Sequence, residues 1–109
     1  MAKDLYIMQS NNNGAFKVGI SNNPKKRLSQ LQTGSPFKLK IILILEGKSS
    51  LEKDLHSRLR SFRLGSFKGE WFSYDGLPSL PDWIYEKLDL NDVDNWWRQS
   101  YESFVKIKR

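Results

Sequence analysis

The chain begins with an alternating pattern. Leu5, Ile7 and Gln9 interleave with Tyr6 and Met8, the period of two expected of a strand. Asn11-Asn12-Asn13-Gly14 follows, and Asn and Gly tolerate the positive φ of a tight turn. A second strand then sets Phe16, Val18 and Ile20 on one side and Lys17 and Gly19 on the other. Pairing the strands so that apolar positions share a face puts Ile7 opposite Val18, Leu5 opposite Ile20 and Tyr6 opposite Gly19. Lys17 becomes the diagonal neighbour of Tyr6, about 7 Å away. The hairpin is thus predicted to present Tyr6 and Lys17 on one face.

Asn23-Pro24 reads as a helix N-cap followed by proline at the first helical position. Lys25, Lys26, Arg27, Leu28 and Leu31 continue that helix until Gly34 and Pro36 stop it. Residues 38–46 read as a third strand, with Ile41, Leu43 and Leu45 on one face and Ile42 and Ile44 on the other. Being apolar on both faces, it is expected to be the central, most buried strand. Leu51, Leu55, Leu59 and Phe62 follow the helical period and predict a second helix from about Ser50 to Phe62. Gly69-Glu70-Trp71-Phe72 reads as a short extended piece closing against the core. Beyond a link from Leu77 to Pro81, one or two amphipathic helices carry Trp83, Ile84, Leu88, Trp96, Trp97, Tyr101 and Phe104. This order of elements predicts an α/β fold, a small sheet with helices against it.

Composition narrows the picture. With 109 residues, 39% of them apolar, the chain can bury one modest core but not two. It has no cysteine, which excludes disulfides, thiolate zinc sites and a cysteine nucleophile. A reducing cytoplasmic setting fits that usage. The first residues lack a signal-type apolar run, and the longest apolar stretch, Ile41 to Leu45, is too short to span a bilayer. A soluble protein without a membrane partner is expected. The net charge of +6 is uneven: residues 1–76 hold thirteen Lys/Arg against six Asp/Glu, and residues 77–109 hold five against six. A basic front segment suits a polyanion, most simply nucleic acid. Solubility alone is an equally plain reason for such a charge.

Four features now stand in order: Leu5-Tyr6-Ile7, Lys17-Val18-Gly19, Arg27 eight residues after Gly19, and Glu52 on the helix after the third strand. Together they resemble the GIY-YIG nuclease superfamily, which carries two short hairpin motifs, an arginine on the next helix and a metal-binding glutamate on a later one. Gly34-Ser35-Pro36, Glu52-x-x-Leu55-His56 and Gly69-Glu70-Trp71-Phe72 look like one branch of it, found widely in phages and bacteria. The resemblance covers residues 4–76. It implies a single domain over 1–109, with a GIY-YIG-like core at 4–76 built on a three-stranded, mainly antiparallel sheet, and a helical extension at 77–109. Lys17 stands where the family pattern has a tyrosine, and Leu31 where a histidine often follows the arginine.

The resemblance further implies a magnesium-dependent endonuclease, with Mn2+ able to substitute, that hydrolyses DNA phosphodiester bonds. Glu52 would be the metal ligand, since magnesium keeps much of its water and accepts one carboxylate. Ser49-Ser50-Leu51-Glu52 is also a capping box, a purely structural use of the same side chain. Arg27 would hold the scissile phosphate through its planar fork, or be an ordinary exposed helix arginine. Lys25 and Lys26 would attract the DNA backbone, or serve solubility. Tyr6 would position or deprotonate the attacking water, although a free phenol titrates near pH ~10; a strand tyrosine is the plain alternative. Lys17 would assist Tyr6 or bind phosphate, and is otherwise a solvated strand lysine. Gly19 would admit the substrate backbone, or only relieve crowding opposite Tyr6. His56 lies one turn past Glu52, about 6 Å between Cβ atoms, and is a candidate to replace the missing histidine as proton acceptor; an intrahelical Glu–His contact is as good an account. Glu70 and the pair Trp96-Trp97, candidates for the site and for base stacking, read more simply as edge and core residues. A second class of function stays open: a nucleic-acid-binding module that does not cut. A third, protein interaction through the aromatic C-terminal helices, has less behind it. With no separate recognition domain, either weak intrinsic specificity or targeting through a partner or a homodimer is expected.

Overall fold

The computed structural model describes residues 2–65 and 71–87. Strands β1 (Asp4–Ser10) and β2 (Phe16–Ser21) form an antiparallel hairpin with the register expected from alternation: Leu5 opposite Ile20, Tyr6 opposite Gly19, Ile7 opposite Val18. The turn is closed by Ser10 N–H donating to the Ala15 carbonyl at 2.9 Å and by Asn13 Oδ1 accepting from Ala15 N–H at 3.0 Å. Its positive φ, 76°, falls on Gly14, which has no Cβ to clash there.

Helix α1 (Pro24–Thr33) starts where the side chain of Asn23 accepts from Lys26 N–H at 3.1 Å, with proline pre-set for the first turn. It carries the chain over to β3 (Leu39–Leu45), which pairs with the far side of β1. Since β2 and β3 are both antiparallel to β1, they run parallel to each other, and parallel strands need a crossover of this kind. A two-residue β4 (Trp71–Phe72) pairs with β2, giving the order β3-β1-β2-β4, antiparallel throughout. The α/β class holds, with four strands where three were expected; the closing segment supplies the fourth.

Two expectations for β3 are corrected. It is an edge strand, and β1, with Leu5 through Ser10 all buried, is the central one. Hydrophobicity on both faces of β3 reflects cover on both faces, since α1 lies against one side of this strand. The strict alternation also breaks. A bulge opposite Ile7 and Met8 shifts the register. Ile42 and Leu43 consequently both join the core cluster, and Ile41 comes opposite Met8.

The expected helix over 50–62 is shorter in its α-helical part, α2 (Glu52–Arg58), with single 3-10 turns at Ser49–Leu51 and Arg60–Phe62. The reason lies downstream. Ser73 N–H donates to the Phe62 carbonyl at 2.7 Å and Leu64 N–H to the Trp71 carbonyl at 3.0 Å, so the chain must leave the helix to pair there. The apolar stripe survives: Leu55 and Leu59 are fully buried, with Leu51 and Phe62 against the same cluster. Each such leucine contributes about 1.5–3 kcal/mol by leaving water.

The segment from Leu77 to Pro81 is helical too, a 3-10 stretch (Tyr74–Ser79) running into α3 (Leu80–Lys87). Leu77, Leu80, Trp83 and Ile84 are buried in one cluster with Leu5, Ile7, Phe16 and Val18, so residues 77–84 complete the core on the face opposite α1. On the other face Tyr6, Met8 and Leu39 are buried outside that cluster, on the side α1 covers. Leu88, Trp96, Trp97, Tyr101 and Phe104 lie outside the described residues. Among the described residues no helix is long and apolar enough to cross a membrane.

Helices α2 and α3 are tied by a buried donor. Trp83 is fully buried, and its indole N–H reaches Asp54 Oδ2 at 2.6 Å; Arg58–Glu86 (2.7 Å) and Lys87–Asp54 (3.6 Å) flank it. The indole bond first, and then Lys87 and Arg58, hold the Asp54 carboxyl below its ordinary 3.8. A depressed carboxylate pKa adds stability above the ordinary value and loses it as the pH falls through the folded one. Asp54→Ala should therefore lower the thermal midpoint at neutral pH, and the gap to the parent chain should close below pH 3.8. Melting both proteins across an acid pH series checks this.

Candidate active site

The candidate residues fall in three places along β2: Tyr6, Gly19 and Lys17 on one face of the hairpin, Arg27 in a groove at Ile20 and Ser21, and Glu52 with His56 below the carbonyl of Val18. Tyr6 is buried and lies directly over its cross-strand partner: a Cβ added at Gly19 would stand 2.4 Å from the phenol oxygen and 2.6 Å from Cζ. No side chain fits beneath that ring. The crowding account of Gly19 is thus met in the coordinates, whatever else the residue does. Lys17 is only 7% exposed, and its Nζ lies 6.0 Å from the ring centroid of Trp71, its partner across β2–β4. That is the outer limit of a cation–π contact. Trp71, in the segment expected to close against the core, is half-buried and serves as part of the lysine's wall.

Arg27 sits in the exposed first turns of α1, its Nη1 donating to Gln30 Oε1 at 3.3 Å. It lines an open groove of about 430 Å³ with Lys3, Ile20, Ser21, Asn22, Asn23, Lys26 and Gln30. Lys25 is exposed on the same turn. No acidic residue occupies that turn, so the helix's positive end and three cations act with the same sign. The bias extends further. Between Asp4 and Glu46 the chain has no carboxylate side chain, yet it carries Lys17, Lys25, Lys26, Arg27, Lys38 and Lys40. The sheet, α1 and the loop after it carry these cations and a single carboxylate, Asp4 at the start of β1.

Glu52 and His56 come from α2, on the opposite side of the sheet. The capping box does not form: neither Ser49–Leu51 nor α2 has a side-chain cap, and the Glu52 backbone N–H bonds the Ser49 carbonyl. The Glu52 carboxylate, 22% exposed, is left facing His56 Nε2 at 4.0 Å. His56 reaches β2 itself, with Nε2 3.0 Å from the Val18 carbonyl oxygen. Ser10 and Ala15 form a hydrogen-bonded pair, and such pairs alternate along a hairpin, so Val18 turns its carbonyl to the outer edge of β2. A carbonyl only accepts. Nε2 therefore carries the hydrogen, and the neutral ring keeps its lone pair on Nδ1. Phe72 meets the same ring edge-on, with centroids 5.2 Å apart. The sequence offered a proton acceptor or an intrahelical contact for His56 and gave no sign of this anchor. Residue spacing carries no sign of a long-range bond to a backbone atom.

Tyr6, Lys17 and Arg27 thus lie on the α1 side of the sheet, while Glu52 and His56 reach the β2 edge from beneath. Gly19, Val18 and Ser21 are the meeting points. The polar groups comprise a partly exposed carboxylate on the α2 side and a guanidinium, an enclosed lysine and a phenol on the other. Among the described residues no group of three or more His, Asp or Glu side chains could hold a metal ion. Any metal here would rest on Glu52 and water. Glu70 lies outside the described residues.

Gly19→Ala should destabilise the fold by about 1–3 kcal/mol, the usual cost of forcing an extra carbon into a filled site. Urea titration measures it. In a Tyr6→Ala background the same change should cost far less, because the clash is with that ring.

No curated protein and no solved structure matches the chain. A family model does. The T5orf172 domain occurs in phage and bacterial nuclease-like proteins, which makes this chain a nuclease-related or DNA-binding module. The match runs over residues 5–99, most of the chain's length, and the chain belongs to the T5orf172 domain family.

Proposed function

We propose that this module is a metal-dependent endonuclease that hydrolyses DNA phosphodiester bonds in the manner of the GIY-YIG superfamily. The observation that carries the reading is the junction at β2. The Tyr6 phenol lies over Gly19, Arg27 lines the groove at Ser21, and Glu52 stands beside the histidine that grips Val18.

In hydrolysis a water oxygen bonds to phosphorus while one P–O ester bond breaks. The water gives up a proton and the departing oxygen gains one. Arg27, whose contact to Gln30 is long and solvent-exposed, can turn to hold two non-bridging oxygens of the phosphate. Lys17, walled in by Trp71, supplies fixed positive charge where the second tyrosine of the family pattern would stand. Tyr6 is buried with its ring over Gly19, which would place its oxygen in advance to orient the water. Glu52 would suit a magnesium or manganese ion held by one carboxylate and water, being uncapped and partly exposed. A bound divalent ion supplies Lewis acidity and a more acidic water. His56 holds Glu52's helix against β2, and with Nε2 engaged only Nδ1 is left to accept a proton.

The alternative, a DNA-binding module that does not cut, draws on the same engagement of His56 and on Lys17 in the tyrosine's place. A plasmid-nicking assay in magnesium or manganese separates the two. The parent chain should relax supercoiled DNA, and Glu52→Ala and Arg27→Ala should each lose at least about a hundred-fold in rate, as expected for removing a group that stabilises transition-state charge. Circular dichroism should show both variants folded. Binding without cutting of any duplex, single strand or branched DNA would hand the case to the binding module.

A further inference from the structure

Phe37 is the most exposed large apolar side chain described, 44% accessible, in the loop between α1 and β3. Its backbone is unusually constrained. Ser35 Oγ accepts from Phe37 N–H at 3.2 Å and donates to its carbonyl at 2.9 Å. The Gln32 carboxamide donates to that carbonyl at 3.0 Å and accepts from Leu39 N–H at 2.8 Å, flanking Lys38 as a neighbouring strand would. The Lys38 carbonyl takes the Asn11 N–H at 3.0 Å, joining the loop to the hairpin turn. A side chain on a slack loop could fold down onto apolar surface, but here the backbone is pinned on both sides of the ring. Exposed Lys38 follows it, and Lys40 comes two residues later. The nearest carboxylates in sequence are Asp4 and Glu46. An exposed aromatic ring on an anchored backbone, bordered by cations and amides, has the chemistry of a base-stacking platform.

We infer that Phe37 stacks on an unpaired nucleobase of the DNA this module handles, with Lys38 on the adjoining phosphate. This rests on the proposal that DNA is the substrate, and adds the substrate class: DNA with single-stranded or unpaired character. Stacking needs a ring, and it needs that ring held in place.

The test is affinity, measured by fluorescence anisotropy with a labelled single-stranded oligonucleotide and the duplex of the same sequence. EDTA keeps cutting out of the readout. Phe37→Ala should weaken single-strand binding roughly ten-fold or more and leave the duplex nearly unchanged. Phe37→Trp should restore single-strand binding and Phe37→Leu should not. Gln32→Ala should weaken it several-fold in the parent but add little to Phe37→Ala, because it acts through the placement of the ring. The dependence of affinity on salt should keep its slope, since no phosphate contact is removed. Equal affinity of Phe37→Ala and parent overturns the inference; so does rescue by leucine, an equal loss on duplex, or no binding to either probe. A chain that stacks as described but never nicks DNA would leave this inference standing and remove the nuclease reading. One that nicks normally and ignores Phe37 would do the reverse.

Discussion

A strand buried on both faces requires cover above and below, and β1 imposes that requirement on the whole chain. Leu5 and Ile7 on one side demand α2 and α3, and Tyr6 and Met8 on the other demand α1. Once both covers are in place, β2 is the strand at which they meet, because β4 beside it is only two residues long. The first turns of α1 and the α2 pair Glu52–His56 are brought to the same few residues of β2 from opposite sides. The candidate site is therefore a seam between two layers. That is why no single motif in the chain contains it.

Charge follows the same division. The sheet and α1 are cationic, while the acidic residues of α2 and α3 are partly spent on internal work: Asp54 on the indole of Trp83 and on Lys87, Glu86 on Arg58. A polyanion approaching the α1 side meets Lys and Arg with few opposing charges, whereas Glu52, the carboxylate proposed as metal ligand, belongs to α2. The proposed phosphate and metal contacts thus come from different layers.

The hairpin was legible because its turn and its alternation agree. Asn11 to Gly14 fix where the chain reverses, and only one register then keeps Leu5, Ile7 and Val18 together. The juxtaposition of Tyr6 and Gly19 came with that register. The place of β3 was not legible, since a strand covered by helices on both faces has the same composition whether it is central or marginal. Its bulge leaves no local mark among five consecutive apolar residues. The helix over 50–62 was read correctly from its stripe but too long, because what ends it is a pairing with Trp71 and Ser73. Glu52 and Arg27 are singled out by the resemblance alone. The Val18 anchor of His56 and the grip of Gln32 on the Phe37 loop are long-range or side-chain-to-backbone bonds, for which spacing offers no pattern.

The helix bearing Glu52 is moored to a main-chain oxygen. Every amino acid would present that same atom at position 18, so changes of side chain there can be absorbed by the core without dislodging the carboxylate on the far side of the histidine. Sequence drift in the sheet is in this way insulated from the geometry at its rim, and an engineer could repack the interior around position 18 while keeping the seam intact.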